Sequence, residues 1–347
     1  MNIKDYGFKE ETTKDEKRIV ARVIATHKDR FEIVCDKGEG FAKIKRGQFY
    51  DNPESIYPTT GDFVWIEWND SGDSMICETI KRKSSFSRTA SSSDKNKELH
   101  NQHEQLVAAN FDYVFIMQSL NNNFNLNRIE RYLSLAWQSG GVPVIILTKS
   151  DLVTNVQDFI DDVESVAIGV DIYAISCVTN DGLDDIKKYF SKGKTIVFLG
   201  SSGVGKSTLV NTLYGEEVMK TQEIRENDSR GRHTTTSRNL IVLPNGSMII
   251  DTPGMREIGM WNADEGISKT FEDIEELTTM CKFTDCTHTN EPGCKILEAI
   301  NNGELSLERF EQYIKLKKES LYNSDSEQYL RNKREKFKQI AKINRKN

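Results

Sequence analysis

The sequence predicts a multidomain protein with a small N-terminal β-barrel, a central α/β domain and a C-terminal, mostly helical domain. Residues 18–83 contain short runs of alternating apolar and polar residues separated by turn residues, as in a barrel of short strands. From residue 105, apolar strand-like runs alternate with segments of helical spacing, which is typical of an α/β domain with a mainly parallel sheet. Residues 263–347 hold three segments of helical spacing around a cluster of cysteines.

The composition is that of a soluble globular protein. Of the 347 residues, 37% are hydrophobic and 29% are charged, and this length allows two or three domains that each bury a core. No apolar run approaches the roughly 20 residues that a bilayer-spanning helix needs, and the N-terminal residues lack the apolar centre of a secretion signal. We therefore expect a cytoplasmic monomer that has no membrane partner.

The barrel prediction depends on about five short strands between residues 18 and 83. Four of these strands are predicted by alternating apolar and polar runs, at Ile19–Ile24, Arg30–Val34, Gly40–Ile44 and Asp62–Ile66. An OB-fold fits this pattern best, and an SH3-like barrel remains open. Residues 1–17 are predicted to be a tail, and the Ser-, Asn- and Lys-rich residues 84–104 a mobile linker.

The central domain, predicted over residues 105–262, contains a phosphate-binding loop with the pattern G-x-x-x-x-G-K-S. It follows the strand-like run Thr195–Leu199 and precedes a helical segment. Glycines let backbone N–H groups turn toward phosphate oxygens at a helix N-terminus, the lysine meets the β- and γ-phosphates, and the serine hydroxyl binds Mg²⁺. The residues predicted to bind phosphate are Gly200, Ser201, Ser202, Gly203, Val204, Gly205, Lys206, Ser207 and Thr208.

A guanine-reading motif follows the strand-like run Val142–Leu147. It consists of Thr148, Lys149, Ser150 and Asp151. The Asp151 carboxylate can accept hydrogen bonds from the N1–H and the amino group of guanine, a pattern that adenine lacks. The stem of Lys149 can cover the ring, whereas Thr148 stands where most GTPases have asparagine. We therefore expect the ligand to be GTP or GDP.

A second, weaker guanine signal is the dipeptide Ser176-Cys177. It fits the loop of small residues whose backbone N–H meets guanine O6, although its meaning depends on its position between the other motifs.

The phosphate side has a further motif, Asp251-Thr252-Pro253-Gly254, at the end of an apolar run. We expect Asp251 to hold Mg²⁺, often through water, and the Gly254 N–H to approach the γ-phosphate. These two residues and Lys206 are the predicted catalytic residues, with His233 and Thr235 as further candidates.

The polar segment 223–238 contains Gly231-Arg232-His233-Thr234-Thr235-Thr236, and its threonines suit a loop ordered by Mg²⁺ and the γ-phosphate. Thr235 is favoured as the second Mg²⁺ ligand, beside Ser207. Met255 stands where many GTPases carry a glutamine that orients the attacking water. Hydrolysis by the chain alone is therefore expected to be slow unless His233 or a partner substitutes.

These motifs occur in rotated order. The guanine motif comes first, the phosphate loop second and Asp251 last, whereas an ordinary GTPase opens with its phosphate loop. The same parts in rotated order predict a circularly permuted GTPase domain.

The C-terminal domain, predicted over residues 263–347, contains a set of potential zinc ligands. Cys281, Cys286, His288 and Cys294 offer three thiolates and one imidazole within 14 residues. In a cytosolic protein such a cluster indicates metal before disulfide, and four filled positions suit one structural Zn²⁺. The alternative is a group of unrelated buried cysteines.

Both ends of the chain are basic, although the net charge is −6. Residues 331–347 hold eight Lys/Arg and one Glu, and residues 18–50 hold eight Lys/Arg and four Asp/Glu. Solvated surface charge explains either patch alone, and two basic ends on one chain favour a polyanionic partner.

Taken together, the chain resembles the bacterial ribosome small-subunit-dependent GTPase A (RsgA) family. The resemblance is carried by the rotated motif order, by residues 231–236 and 251–254, and by Asp285-Cys286-Thr287-His288 with Glu291-Pro292-Gly293-Cys294. It implies an N-terminal OB-fold, a circularly permuted P-loop GTPase domain and a zinc-binding helical domain. It also implies a role in late maturation of the small ribosomal subunit, with binding to its rRNA and GTP hydrolysis stimulated by the subunit.

Two other readings are weaker. A metabolic P-loop kinase or ATPase is disfavoured because Asp151 reads guanine and no acceptor-substrate site is evident. An RNA-binding scaffold with a vestigial nucleotide site is disfavoured because Lys206, Ser207 and Asp251 are all intact.

Overall fold

The computed structural model describes residues 2–10, 18–27, 30–44, 56–89, 104–215, 217, 219, 239–251 and 263–324. By its internal contacts the chain divides into two units, one of residues 1–129 and 139–258, the other of residues 130–138 and 259–347. Within the described ranges, no helix is both long and apolar enough to cross a membrane.

The strands of the described ranges all lie in the first unit. They are β1 (Ile19–Thr26), β2 (Phe31–Cys35), β3 (Gly38–Ile44), β4 (Phe63–Glu67), β5 (Ser74–Thr79), β6 (Ser85–Thr89), β7 (Glu104–Ala109), β8 (Tyr113–Ser119), β9 (Val142–Thr148), β10 (Asp171–Ile175), β11 (Thr195–Gly200), β12 (Asn239–Val242) and β13 (Met248–Asp251).

The helices belong to both units. They are α1 (Leu126–Ser139), α2 (Val156–Glu164), α3 (Leu183–Ile186), α4 (Lys206–Tyr214), α5 (Asp264–Thr270), α6 (Glu272–Thr279), α7 (Lys295–Asn302) and α8 (Leu307–Ser324). Short 3₁₀ turns occur at Ile3–Tyr6, Ser150–Leu152 and Lys187–Tyr189.

The barrel is five-stranded and closed. Its strand order is β1-β2-β3-β5-β4, and β4 pairs back onto β1. The β3–β5 pair is parallel and the other pairs are antiparallel. Apolar and polar residues alternate along the strands because one face of each strand is turned toward the inside of the barrel. On that face Val23, Ile33, Val64 and Ile76 are fully buried. The expected OB-fold barrel is therefore confirmed.

The α/β domain is a parallel sheet, as predicted. Its parallel strands follow the order β10-β9-β8-β11-β13, and β12 pairs antiparallel to β13 at one side. The apolar runs predicted as strands match these elements, because strands that are covered on both faces are apolar throughout. The short strand β12, which is half exposed and also pairs with barrel strand β1, was not predicted.

The segment predicted as a linker over 84–104 begins with a strand, which corrects its interpretation as a loop. Ser85–Thr89 pairs antiparallel to Glu104–Ala109. The pairing is anchored by Phe86, which is buried and stacks on Phe111 with ring centroids 4.9 Å apart. The serines on both sides of Phe86 give this segment the composition of a loop, so the strand was not predicted from the sequence. Residues 90–103 lie outside the described part.

Arg22 is buried where the barrel meets the parallel sheet, with only 1% of its surface exposed. Its Nε donates to the Gly61 carbonyl (3.2 Å) and its Nη2 to the Asn110 carbonyl (2.8 Å). Its Nη1 donates to the Tyr6 carbonyl (2.6 Å) and to the Thr195 hydroxyl (3.0 Å). Burial lowers the pKa of Arg22 to about 10, which leaves the side chain charged near neutral pH.

The second unit is helical in its described residues, as expected. The single helix predicted over Ile267–Leu277 is instead two helices, α5 and α6. They break at Phe271, whose backbone leaves the helical region (φ −116°, ψ 39°) and whose ring is fully buried. The predicted helix Tyr329–Ile343 and the basic residues 331–347 lie outside the described residues.

A buried charge cluster holds α1, α6 and α8 together within this unit. Arg309 donates through Nη1 to Glu130 Oε1 (2.5 Å), and through Nε and Nη2 to the two carboxylate oxygens of Asp273 (3.0 and 2.8 Å). One guanidinium thus faces two carboxylates, and Glu130 is the more deeply buried of them. Desolvation therefore raises the pKa of Glu130 to about 7, although Arg309 opposes the shift.

The raised pKa of Glu130 predicts that this group destabilises the fold as the pH rises. Between its unfolded pKa near 4.5 and its folded pKa near 7, the folded chain keeps a proton that the unfolded chain has lost. Glu130→Gln removes this titration. The difference in unfolding free energy between the variant and wild type should therefore shift by about 2 kcal/mol in favour of the variant as the pH rises from 5 to 8. Urea unfolding followed by circular dichroism across this range measures the difference.

The matched control is Glu319→Gln, since Glu319 pairs with Arg131 in a half-exposed position in the same unit. Its difference from wild type should stay flat over the same range. Unfolding curves for Glu130→Gln that run parallel to wild type at every pH would contradict the prediction.

Candidate nucleotide site and metal cluster

The predicted nucleotide motifs meet at one edge of the parallel sheet. The motifs begin where β9, β10, β11 and β13 end, at Thr148, Ile175, Gly200 and Asp251. The strands are in register, with Thr148 opposite Ile175 and Ile250 opposite Val197. The carboxyl edge of such a sheet is where ligands bind, so motifs that lie far apart in the sequence form one site.

The phosphate loop has the backbone that its glycines predict. Gly203 and Gly205 adopt left-handed φ values of +71° and +102°, and α4 begins directly after them at Lys206. A Cβ on Gly200 would lie 2.9 Å from the Met117 carbonyl oxygen, so the start of the loop also requires a residue without a side chain. The loop presents its open side to solvent at a helix N-terminus, where an anion binds favourably.

Thr148 has a role that its sequence position did not reveal. Its side chain is buried, and its hydroxyl donates to the carbonyl of Val204 in the phosphate loop (2.7 Å). Sequence reasoning noted only that threonine stands here in place of the asparagine of most GTPases. The structure instead shows that it joins the guanine motif to the phosphate loop.

Ser176 also acts through its side chain as well as its backbone. Its fully buried hydroxyl donates to Asp151 Oδ1 (2.6 Å), and it accepts from the backbone N–H groups of Val178 (3.1 Å) and Thr179 (3.2 Å). This arrangement fixes the carboxylate predicted to read guanine. In the sequence, this side-chain role was indicated only by the presence of a small hydroxyl residue at position 176.

Two further residues of the guanine side, Lys149 and Cys177, lie just after the ends of β9 and β10. Lys149 sits in the left-handed region (φ +61°), in the short turn that carries Asp151. Cys177 is half-buried against the core, and burial raises the pKa of its thiol. Cys177 therefore contributes packing and backbone to the site, and its thiol stays protonated near neutral pH.

Asp251 ends β13, the strand beside the phosphate-loop strand β11. Its surface remains accessible, yet the surrounding protein displaces enough water to raise the pKa of its carboxyl, and the charge of Lys206 opposes this rise. The two groups therefore share one electrostatic environment, as a carboxylate and a lysine at a metal–phosphate site should. Ser207 lies in the first turn of α4, directly after Lys206.

The remaining phosphate-side predictions fall on residues outside the described part of the chain. These are the segment 231–236 with His233 and Thr235, together with Gly254 and Met255. Their roles stay predictions.

The four predicted metal ligands converge. One ligand atom from each of Cys281, Cys286, His288 and Cys294 lies within 4.8 Å of the others. The Nδ1 atom of His288 is 3.7 Å from Cys281 Sγ and 3.4 Å from Cys294 Sγ. A tetrahedral Zn²⁺ with usual bond lengths separates nitrogen and sulfur ligands by about 3.5 Å. The cluster thus fits zinc.

The loop that carries the cluster is held by Glu291, whose hydrogen-bonding role the sequence motif did not reveal. Its Oε1 accepts from the backbone N–H of Thr287 (3.0 Å), and its Oε2 accepts from those of Thr289 (2.9 Å) and Asn290 (3.1 Å). The Thr287 hydroxyl also donates to Glu291 Oε1. This bond, together with the backbone bonds, lowers the pKa of Glu291 to about 2. These bonds support His288, whose φ of +57° is unusual for a residue other than glycine.

Known proteins resemble the chain over most of its length. The family model described as RsgA GTPase matches residues 79–261. The chain is 43% identical over 349 residues to the small ribosomal subunit biogenesis GTPase RsgA 1 of Listeria innocua. The match covers 99% of this chain and 96% of that protein.

Two solved structures are similar as well. YjeQ from Thermotoga maritima has a TM-score of 0.62 and 26% identity, and the match covers 86% of this chain and 97% of that one. YloQ, described as a circularly permuted GTPase, has a TM-score of 0.57 over 88% of this chain and 96% of that one. At 24% identity this second likeness supports the fold alone.

The Thr148 contact predicts the effect of removing its hydroxyl. Thr148→Val keeps the shape but leaves the buried Val204 carbonyl without its donor, at a cost of about 1–2 kcal/mol. We expect GDP and GTP to bind roughly ten-fold more weakly, with the preference for guanine over adenine unchanged. Calorimetric titration with GDP, GTP, ADP and ATP measures both the affinity and the base preference. The control Thr148→Ser, which keeps the hydroxyl, should bind these nucleotides as wild type does. A changed base preference at unchanged affinity would show that the hydroxyl acts on the base.

Proposed function

Because the chain belongs to the RsgA GTPase family, we propose that it binds GTP and hydrolyses it on the small ribosomal subunit, as a factor in the late maturation of that subunit. The observation that carries this proposal is the meeting of the guanine motif, the phosphate loop and Asp251 at one sheet edge. We expect the protein to act in the cytoplasm as a monomer, with ribosomal RNA as part of its target.

In this proposal the base and the phosphates are bound by opposite ends of the site. Asp151, held by the Ser176 hydroxyl, accepts from guanine N1–H and the amino group, which gives preference over adenine. The backbone N–H groups of residues 200–208 surround the β-phosphate, and the Lys206 ammonium balances the charge that develops on the transferred phosphoryl group.

The residues present also fit a magnesium ion. Ser207 offers a hydroxyl and Asp251 a carboxylate, both of them oxygen ligands of the kind that Mg²⁺ prefers. The ion would supply positive charge that offsets the negative charge of the phosphate oxygens. Asp251 would hold it directly or through water.

A comparison of hydrolysis with and without purified small subunits tests the proposed function. The chain alone should hydrolyse GTP slowly, and subunits should stimulate it by about ten-fold or more, as partner-supplied groups do in other GTPases. Lys206→Ala should abolish the stimulated rate while the fold, followed by circular dichroism, stays intact. Large ribosomal subunits serve as the control. Equal rates with and without small subunits would overturn the assignment to that partner, and ATP hydrolysis as fast as GTP hydrolysis would overturn the nucleotide class.

We further propose that the cluster of Cys281, Cys286, His288 and Cys294 holds one structural Zn²⁺. Its four ligand positions are all supplied by protein, which suits a closed structural site rather than a catalytic one. Purified protein should contain equimolar zinc, and Cys286→Ser should lose most of it and melt at a lower temperature, because metal binding contributes directly to folding. Cys177→Ser, a cysteine outside the cluster, should keep its zinc. Iron rather than zinc by elemental analysis, or full zinc content in Cys286→Ser, would contradict this.

A further inference from the structure

The loop that carries the four proposed zinc ligands is folded around the carboxylate of Glu291. This carboxylate receives four hydrogen bonds, two from the backbone N–H and the hydroxyl of Thr287 and two from the backbone N–H groups of Thr289 and Asn290. The donors thus lie on both sides of His288 in the chain. Hydrogen bonds to an ionised group are roughly twice as strong as those between neutral groups, so one side chain fixes the segment that carries the imidazole.

The bonds from Thr287 and Thr289 set the backbone at His288. The Thr289 N–H belongs to the same planar peptide unit as the His288 carbonyl, so its bond to Glu291 Oε2 (2.9 Å) fixes the direction in which the chain leaves His288. The φ of His288 is +57°, a conformation that residues with a side chain rarely adopt. The carboxylate of Glu291 therefore stabilises a backbone conformation that His288 would not favour by itself.

Glu291 also begins the turn that carries Cys294. The Cys294 N–H donates to the Glu291 carbonyl (3.3 Å). Pro292 occupies the second position of this turn and Gly293, with a φ of +79°, the third, as a type II turn requires. The backbone of Glu291 thus belongs to the Cys294 turn while its side chain holds the His288 segment. This one residue sets the spacing between the two ligands.

The imidazole of His288 turns its Nδ1 atom toward the thiols. Nδ1 is 3.7 Å from Cys281 Sγ and 3.4 Å from Cys294 Sγ. Because Nδ1 and Nε2 lie on different sides of the ring, the direction of the backbone at His288 decides which of them reaches the cluster. The ring of Phe310 on α8 meets the imidazole edge-on, with centroids 6.1 Å apart, and restrains its rotation. Backbone and ring are thereby both held in the orientation that offers Nδ1.

The carboxylate of Glu291 is not placed as a metal ligand. The ligand atoms that converge within 4.8 Å in the described part of the chain are those of Cys281, Cys286, His288 and Cys294. Both oxygens of Glu291 are engaged by the four donors of the loop, and binding a metal would break those bonds. Glu291 therefore acts on the site through the residues that it holds.

We propose that Glu291 is a positioning residue of the zinc site, which presents the Nδ1 atom of His288 as the ligand and thereby raises the affinity for zinc. The inference rests on the proposed structural Zn²⁺, whereas the role of the carboxylate rests on its hydrogen bonds. Charge alone gives the opposite expectation. A carboxylate near three thiols disfavours their ionised, metal-binding form, so its removal would tighten binding if Glu291 acted by charge.

The first test measures zinc affinity in the full-length chain by competition with a chromophoric chelator. Glu291→Ala should bind zinc about ten- to a hundred-fold more weakly than wild type, since the outer partners of metal ligands contribute effects of this size. Glu291→Gln keeps one accepting oxygen and should lie between the two proteins. Unchanged or tighter binding in both variants would overturn the proposal.

The second test uses ¹⁵N NMR of histidine-labelled protein at saturating zinc. The chain has five histidines, and the His288 signals are identified by their loss in His288→Ala. In wild type Nδ1 of His288 should have the chemical shift of a metal-bound nitrogen. In Glu291→Ala that signal should weaken or pass to Nε2. Weaker zinc binding with an unchanged Nδ1 signal would mean that Glu291 only stabilises the loop, and the positioning role would be wrong.

The matched control is Glu298→Gln. Glu298 lies in the first turn of α7, directly after Cys294, and its half-exposed carboxylate pairs with Lys295 (2.8 Å or less, at 2.7 Å). This variant removes the same charge from the same region without touching the loop, and it should bind zinc as wild type does. A loss equal to that of Glu291→Gln would assign the effect to charge and contradict the proposal. Normal GDP binding by every variant shows that the first unit is folded.

The zinc content of wild type separates failure of this inference from failure of the proposed zinc site. If purified wild type holds no zinc and binds none, the zinc assignment fails and the role of Glu291 fails with it. If wild type holds equimolar zinc and both Glu291 variants match it in affinity and in the His288 signal, the zinc site stands and the positioning role fails.

Discussion

The orientation of the barrel on the nucleotide-binding sheet depends on the buried charge of Arg22. Taking a guanidinium out of water costs several kcal/mol unless its hydrogen-bonding groups find partners. Four acceptors from the barrel, the N-terminal turn and the parallel sheet supply those partners. Each acceptor comes from a different stretch of chain, so all are in place only when the barrel sits in one position. Because any other docking would leave the charge unpaired, the interaction selects an arrangement as well as stabilising it.

The same junction explains why the two domains share a sheet. The strand β12 would otherwise leave an unpaired edge on the parallel sheet, and such edges invite association with other chains. Barrel strand β1 covers it, with Ala25 opposite Asn239. Close backbone approach accompanies the pairing. At Gly61 (φ +94°) a Cβ would lie 2.0 Å from the Ala109 carbonyl oxygen, so only glycine is accommodated there.

The sequence predicted the parts of the molecule that follow local rules. Alternation placed four barrel strands, and the glycine and lysine spacing placed the phosphate loop, because such patterns depend on neighbours in the chain. It missed the contacts between distant segments. Nothing local marks Thr148 as the donor to Val204, or Arg22 as an arginine that the fold buries. Such roles depend on which strands become neighbours, and that is a property of the whole sheet.

The permutation has a consequence for how the site is connected along the chain. The strands β8 and β13 lie on either side of the phosphate-loop strand β11, and the rotated order makes them the first and last strands of the domain. The barrel joins at the start of β8, on the amino side of the sheet. The chain leaves after Asp251, at the carboxyl edge where the phosphate loop lies. Along the chain, Asp251 on the phosphate side is thus followed by residues 259–347 of the second unit, whereas the barrel precedes β8 and also contacts the sheet through Arg22 and edge pairing.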